Sequence, residues 1–416
     1  MSTCRPGAGK PVVRPEAPAS SRRAAALRVA QRHFAWREEY GSLSWDPYDF
    51  WAHPLGQRAK AAYYRHQRLG LPLIAPFVVL DTVAPRSRAA VGGRRRFPVA
   101  DAHYAMGLCE LARGGTRAWL RRATPFLEAL VEERCPAEAE YCWGYPFDWV
   151  TCVGTWPSGT PLITSTPYGY EAFEAAFALT GSDECLAIME SVGRFAFERI
   201  PATEVSAGVR ASAYTPTDHR RVVNASAYRG FLLAAAGTRF GHAEWVREAR
   251  ASVAFVLRSQ RLDGSWLYAM DGEDAFVDNL HTCFVLKNLV KYQRVVTDDA
   301  VADAVARGYE FYKASLLDDE HLPVPFAKAP RATLHVRDVY DYAEGINLAL
   351  LLRNADPDAR AIADALVGDI LRHWVLDDGR FVSRQMLVGR NTVPYLRWGQ
   401  AQTFRALACY ASIGEG

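Results

Sequence analysis

Apolar positions along the chain recur at intervals of three and four residues, as in Phe284, Val285, Leu286, Leu289 and Val290. This is the signature of helices with a buried face. The pattern predicts helices near 22–40 and 55–68. It then repeats near 99–113, 116–134, 169–180, 183–199, 223–237, 242–260, 277–296, 299–315, 339–353, 357–373 and 398–412. Breakers separate them: Gly114-Gly115, Gly181-Ser182, Gly237, Asp263-Gly264, Thr297-Asp298, Asp356-Pro357 and Asp378-Gly379. No run keeps a strand alternation. Short β-hairpins are expected only around 264–276 and 379–394, where aromatic and turn residues alternate.

The helices come in pairs of contrasting character. One partner is apolar and rich in small residues, as in Asn224-Ala225-Ser226-Ala227-Tyr228-Arg229-Gly230-Phe231-Leu232-Leu233. The other is charged, as in His242-Ala243-Glu244-Trp245-Val246-Arg247-Glu248-Ala249-Arg250. A helix apolar all round is buried, and an amphipathic one lies outside it. Stacked two-helix units of this kind predict an all-α fold, an (α/α)5-6 toroid of helical hairpins with short β-hairpin loops. An open solenoid is the alternative, but its surface is usually more repetitive. The expected organisation is a disordered tail at 1–21, an N-terminal helical cap extension at 22–95 and the toroid at 96–416.

A turn phrase occurs twice. Asp263-Gly264-Ser265-Trp266 precedes Val277-Asp278-Asn279-Leu280-His281, and Asp378-Gly379-Arg380-Phe381 precedes Tyr395-Leu396-Arg397-Trp398-Gly399-Gln400. Each joins a glycine turn and an aromatic residue to a helix start with polar residues three apart, which share one helix face. A relative is Trp143-Gly144-Tyr145-Pro146-Phe147, which leads to Asp148 and on to Tyr168 and Glu171. Together these phrases outline a common cavity mouth.

With 49 basic and 46 acidic residues the net charge is +3, which gives no case for nucleic acid as a partner. The eight cysteines form no CxxC pair and no zinc spacing, so they read as small core residues of a reducing compartment. No secretory signal is visible, and a cytoplasmic protein is expected. The apolar run Leu69 to Leu80, interrupted by Pro72 and Pro76, is too short to span a bilayer. It reads as a buried connector or a peripheral membrane contact. The loop Gly92-Gly93-Arg94-Arg95-Arg96 reads as solvated.

Cys142-Trp143-Gly144-Tyr145-Pro146-Phe147-Asp148-Trp149, Val277-Asp278-Asn279-Leu280-His281-Thr282 and Val393-Pro394-Tyr395-Leu396-Arg397-Trp398-Gly399-Gln400-Ala401 resemble phrases of a bacterial toroid family. That family is encoded among exopolysaccharide and capsule biosynthesis genes. Some members carry the label aminolevulinate dehydratase. That activity needs a Schiff-base lysine on an α/β barrel, and this sequence shows no strand-helix alternation. The resemblance covers about residues 95–412 and implies a toroid similar to those of glucuronyl C5-epimerases, N-acylglucosamine 2-epimerases, polysaccharide lyases and terpenoid cyclases. Fold alone does not fix function.

The candidate catalytic residues are Glu171, Asp278, His281, Asp341 and Glu344. Asp278 either caps the helix that starts at Asn279 or orients His281 for acid/base work. Asp338, Asp341 and Glu344 follow D-x-x-D-x-x-E. Three carboxylates on one face repel. They read as a general acid, a divalent-metal site, or caps paired with Arg331 and Arg337. Glu171 reads as an acid or as a helix-end charge. Arg397 reads as a fork for a sugar carboxylate or phosphate, or as an ion pair with Asp278 or Glu344. Asp148, Trp149, Tyr168, Asn224, Tyr228, Trp266, Trp398 and Gln400 complete the expected substrate-binding set. The chain has 11 Trp and 19 Tyr, whose faces suit sugar rings or isoprenoids.

No cofactor is expected. G-x-S-x-G, Rossmann, D-x-D-D and D-D-x-x-D motifs are absent, and Gly7-Ala8-Gly9-Lys10 lacks a preceding strand. The leading expectation is a carbohydrate-active enzyme of surface-glycan biosynthesis using acid/base chemistry, of epimerase, lyase or glycosidase type. Its partner would be a glycan or a glycosylated lipid precursor. A terpenoid-cyclase-like enzyme and a non-catalytic glycan-binding scaffold are the alternatives.

Overall fold

The computed structural model describes residues 19–272, 275–330 and 333–413. The tail expected at 1–21 therefore lies outside the described residues, apart from 19–21, which begin a helix. Cys4, Gly7-Ala8-Gly9-Lys10 and Arg331 lie outside them as well.

The chain opens with α1 (Ala19–Tyr40), followed by α2 (Asp49–Ala52), α3 (Pro54–Arg65) and α4 (Gln67–Val83). Five hairpins follow. They are α5 (Pro98–Arg113) with α6 (Ala118–Glu132), α7 (Thr166–Thr180) with α8 (Asp183–Glu198), and α9 (Val223–Phe240) with α10 (Ala243–Arg258). Next come α11 (Asn279–Gln293) with α12 (Asp299–Ser315), and α13 (Val339–Leu352) with α14 (Ala359–Asp369). The last helix is α15 (Ala401–Ala411).

Helices α5, α7, α9, α11, α13 and α15 pack side by side in that order, and α15 returns to α5, so the ring is closed. Each is covered outside by its hairpin partner. Helix α1 covers α15 and also touches α14. Among the described residues this gives six helical pairs, an α/α toroid. The 22–40 helix, expected in a separate extension, is thus the outer helix of the sixth pair. Its Ala26, Ala30 and Phe34, spaced by four, are buried in the common core.

Burial follows the composition. Along α13 nearly every residue from Val339 to Leu352 is buried. Along α10 only one face is, with Trp245, Ala249, Ser252, Val253 and Val256 turned inward.

Outer helices connect to inner ones through long segments gathered at the end of the ring where the inner helices begin. Residues 41–97, 133–165, 199–222, 259–278, 316–338 and 375–400 make this mouth. Inner-to-outer turns at the other end are short. The mouth carries antiparallel ribbons: β1 (Trp149–Thr151) with β2 (Gly154–Trp156), and β3 (Ala202–Ser206) with β4 (Val209–Ser212). These two were not expected from the sequence. Around 264–276, where 273 and 274 lie outside the described residues, the Tyr268 amide reaches the Phe276 carbonyl at 3.0 Å but no strands pair among the described residues; next to it β5 (Val277–Asp278) pairs with β6 (Phe326–Lys328). The hairpin expected at 379–394 is present. There β7 (His335–Asp338) joins a sheet with β8 (Arg384–Met386) and β9 (Arg390–Asn391).

The doubled phrase proves to be one turn used three times. Asp263 accepts the amide of Ser265 at 3.0 Å, and Asp378 accepts that of Arg380 at 3.2 Å. The following glycines take φ 90° at Gly264 and 95° at Gly379, which favours a residue without Cβ. The third copy begins at Asp318, which accepts the amides of Glu320 and Leu322. There His321 stands in the glycine position with φ 61°. The flanking backbone bonds match in all three turns: Arg261 to Ser265, Leu376 to Arg380 and Asp318 to Leu322, each at 2.9 Å.

Candidate active site

Because all inner helices start at one end, their first turns converge on the mouth. Asp278 sits at the N-cap of α11 with extended backbone. Its carboxylate accepts the His281 amide at 2.8 Å and faces His281 Nδ1 at 2.7 Å. The cap and the orienting partner are therefore the same group. With Nδ1–H donated to Asp278, the other ring nitrogen, Nε2, becomes the acceptor. The ring meets Tyr268 edge-on at 4.6 Å, with Phe276 and Phe284 at 5.8 and 5.6 Å. A pocket forms over it, lined by Asn224, Trp266, Tyr268, Phe276, Asp278 and His281 among others. Asn224 is buried, and its Oδ1 has no hydrogen-bond partner.

The D-x-x-D-x-x-E run lies at the start of α13, and its three carboxylates meet three environments. Asp338 caps the helix through the Tyr340 amide at 3.0 Å. It also accepts Arg384 Nε at 2.7 Å and Trp398 Nε1 at 3.1 Å. Glu344 is fully buried and ion-paired to Lys287. Asp341, between them, is 4% exposed and has no hydrogen-bond or salt-bridge partner among the described residues. Burial, and then the negative charges of Asp338 and Asp278, hold its carboxyl well above the usual carboxylate range, against a weaker pull from Arg384. It keeps its proton where ordinary carboxyls have lost theirs. The three groups do not meet at one point. Among the described residues no group of three His, Cys, Asp or Glu is placed to hold a metal ion.

Beneath this layer the ring is closed by a polar floor. Glu171 pairs with Lys291 at 2.6 Å and with Arg405 at 3.8 Å. Burial raises the Glu171 carboxyl, but Lys291 and Arg405 outweigh it and hold it below its ordinary value. Burial lowers Lys291 to about 8, against the pull of Glu171. Tyr168 and Tyr228 share a hydrogen bond of 2.6 Å between their hydroxyls. His103 lies against Tyr168, with neither ring nitrogen partnered. Burial, and then Arg405 and the lysines, keep it neutral.

No protein-family profile and no curated protein matches this chain. Solved structures do. An unsaturated glucuronyl hydrolase specific for heparin is similar over 94% of this chain and 96% of its own, with 11% identity and a TM-score of 0.62. The GH76 α-mannanase of Bacteroides thetaiotaomicron is similar over 76% and 86%, with 9% identity and a TM-score of 0.58. The cellobiose 2-epimerase of Bacillus thermoamylovorans is similar over 75% and 87%, with 8% identity and a TM-score of 0.57. At such identities the likeness is one of fold: all three are matched by the same closed ring of helical hairpins.

Of the residues expected at the site, Asp278, His281, Asp341 and Asn224 reach the mouth layer. Glu171, Glu344, Tyr168 and Tyr228 lie in the floor, where both carboxylates are committed to lysines. Arg397 is buried and donates to Asp46 at 2.8 Å, so neither Asp278 nor Glu344 is its partner. It also stacks over Tyr145 at 4.3 Å. Trp398 packs edge-on against Tyr340 and anchors Asp338. Gln400 is buried within the last connection, where it accepts the Phe381 amide and donates to its carbonyl at 2.9 and 2.8 Å. Asp148 is exposed and accepts the Ser158 amide at 2.8 Å. Trp149 packs edge-on against Trp156 at 5.1 Å. Trp266 is buried, with its indole N–H on the Val256 carbonyl, and it lines the pocket.

Sequence reasoning missed Tyr268, Phe276, Phe284, Arg384, Lys287 and Lys291. The two lysines did leave a signal. They stand four apart on an inner helix with no other Lys, Arg, Asp or Glu, and buried lysine requires a counter-charge.

Proposed function

We propose that this chain is a glycan-processing enzyme in which Asp341 is the general acid and His281, held by Asp278, the general base. One observation carries the reading: a buried carboxyl, without a partner among the described residues and with its pKa raised by burial and by Asp338 and Asp278, stands beside an Asp–His pair at the mouth of a toroid. A carboxyl with a strongly raised pKa beside a carboxylate-held imidazole is the pairing of groups that acid/base sites use. In the proposed step Asp341 gives its proton to a sugar oxygen. His281 Nε2 takes one from water or from a sugar carbon. Tyr268 and Phe276, which line the pocket, supply apolar surface for the ring, and the free Asn224 oxygen accepts a sugar hydroxyl. The charged floor disfavours the apolar cavity that an isoprenoid cyclase needs.

The resemblance of the Trp143–Trp149 and Val393–Ala401 phrases supports a setting in exopolysaccharide or surface-glycan assembly. The substrate would then be a nucleotide-linked or lipid-linked precursor, met in the cytoplasm. The test is to incubate the purified chain with such precursors in heavy water. A deuteron fixed on a carbon of an otherwise intact sugar marks epimerisation, a new reducing end without unsaturation marks hydrolysis, and an unsaturated product marks elimination. Asp341→Asn should lower product formation by about 10²–10⁴-fold. Turnover of the same substrate at the parent rate by Asp341→Asn would overturn the assignment.

A further inference from the structure

The α3–α4 hairpin takes no part in the acid/base chemistry, yet it carries an unusual surface. From Leu69 to Leu80 helix α4 holds only apolar residues, glycine and proline. A helix apolar all round is ordinarily buried. Here only Gly70 and Ile74 are buried, while Leu69 is 74% exposed and Val83 72%. Leu71, Leu73, Val79 and Leu80 are exposed too, as is Leu55 on α3. Half of the exposed large hydrophobic side chains among the described residues lie on these two helices. Monomer surfaces seldom keep such a patch without a use.

The charge around the patch is mostly positive: the acid on α4, Asp81, is ion-paired to Arg88. Between residues 50 and 80 there is no Asp or Glu. Arg58, Arg65 and Arg68 are exposed on the same hairpin. An apolar helix flanked by arginines matches a surface that is apolar inside and negative outside. A second copy of this chain would set arginine against arginine. Among the described residues no helix is long and apolar enough to cross a membrane, so an interfacial helix is the form that fits.

The hairpin also stands beside the mouth. Helices α2 and α3 pack on β1. Tyr48 donates its hydroxyl to the Val150 carbonyl at 3.2 Å, and Lys60 lies over the Tyr48 ring at 4.2 Å. We propose that the α3–α4 hairpin docks the protein on an anionic lipid surface, with α4 lying in the headgroup layer. The ring mouth is then held next to the bilayer, which suits a lipid-anchored glycan. This last consequence rests on the glycan reading of the mouth.

The test is co-sedimentation of the full chain with phosphatidylcholine vesicles, with and without phosphatidylglycerol. Binding should require phosphatidylglycerol and weaken with salt. Arg65→Ser/Arg68→Ser should lower affinity about 25-fold, at about fivefold per basic side chain near an anionic surface. Leu71→Ser/Leu73→Ser should lower it by at least about tenfold. These positions are exposed, so unchanged circular dichroism is expected. Absence of binding to the anionic vesicles, or parental binding by both variants, overturns the proposal. So does a lipid-free dimer in size-exclusion chromatography that the leucine variant dissociates. Asp341→Asn should bind vesicles as the parent does, so loss of docking and loss of the acid/base assignment are read separately.

Discussion

Asp341→Asn is the substitution that separates a catalytic acid from a carboxylate that merely repels its neighbours. Asparagine keeps the shape but neither ionises nor delivers a proton. A positioned general acid contributes about 10²–10⁴-fold in rate, or about 3–5 kcal/mol of barrier. Turnover should fall by that factor. Stability should move the other way.

The Asp341 carboxyl is raised above its ordinary value of 3.8 in the fold, by burial first and by Asp338 and Asp278 next. The folded protein therefore holds the proton more tightly than the unfolded chain does. Its contribution to stability is whole below about pH 4. It is lost at up to about 1.4 kcal/mol per pH unit as pH rises toward the folded value. Asparagine has no such loss. Urea unfolding of both proteins from pH 4 to pH 8 should show the variant gaining on the parent as pH rises. Other titrating groups are common to both and largely cancel. A difference that stays flat across this range would show that Asp341 is not held protonated, and the assignment would fail with it.

Asp278→Asn should keep the cap, since Asn caps as well as Asp, and hold stability within about 0.5 kcal/mol. It should lose turnover because His281 loses its orienting charge, whereas Asp278→Ala should also lose about 1 kcal/mol in urea unfolding. Glu344→Gln leaves Lys287 buried without its counter-charge and should cost about 3–5 kcal/mol, most of it recovered by adding Lys287→Met. Gly264→Ala meets a left-handed backbone and a Cβ site 2.4 Å from the Arg307 carbonyl oxygen, so it should lose at least about 1 kcal/mol. His321→Gly, in the same turn without a glycine, should be neutral or stabilising by up to about 1 kcal/mol in the same assay.

The helices were legible because their code is local. The pairing of an apolar with a charged helix announced inner and outer layers before any contact was known. A closed toroid was legible, but which helix completes its sixth pair was not. Helix α1 belongs beside α15, but only long-range packing says so, and the intervening cap made it resemble an extension. The third copy of the turn was hidden for a different reason. The backbone bonds of Asp318–Leu322 repeat those of the other two turns, yet His321 removes the glycine that served as the marker. The site shows the same division. Spacing put Asp338, Asp341 and Glu344 on one face of a helix, which was enough to find them. It could not rank them, because their roles are set by other parts of the chain: Arg384 takes Asp338, Lys287 on α11 takes Glu344, and among the described residues nothing takes Asp341. Arg397 teaches the same point from the other side, since its partner Asp46 is 351 residues away. A general acid at neutral pH is a carboxyl that the fold buries among negative charges and leaves without a cation. That condition is a missing partner, and a sequence written as a line of residues holds no local mark for it.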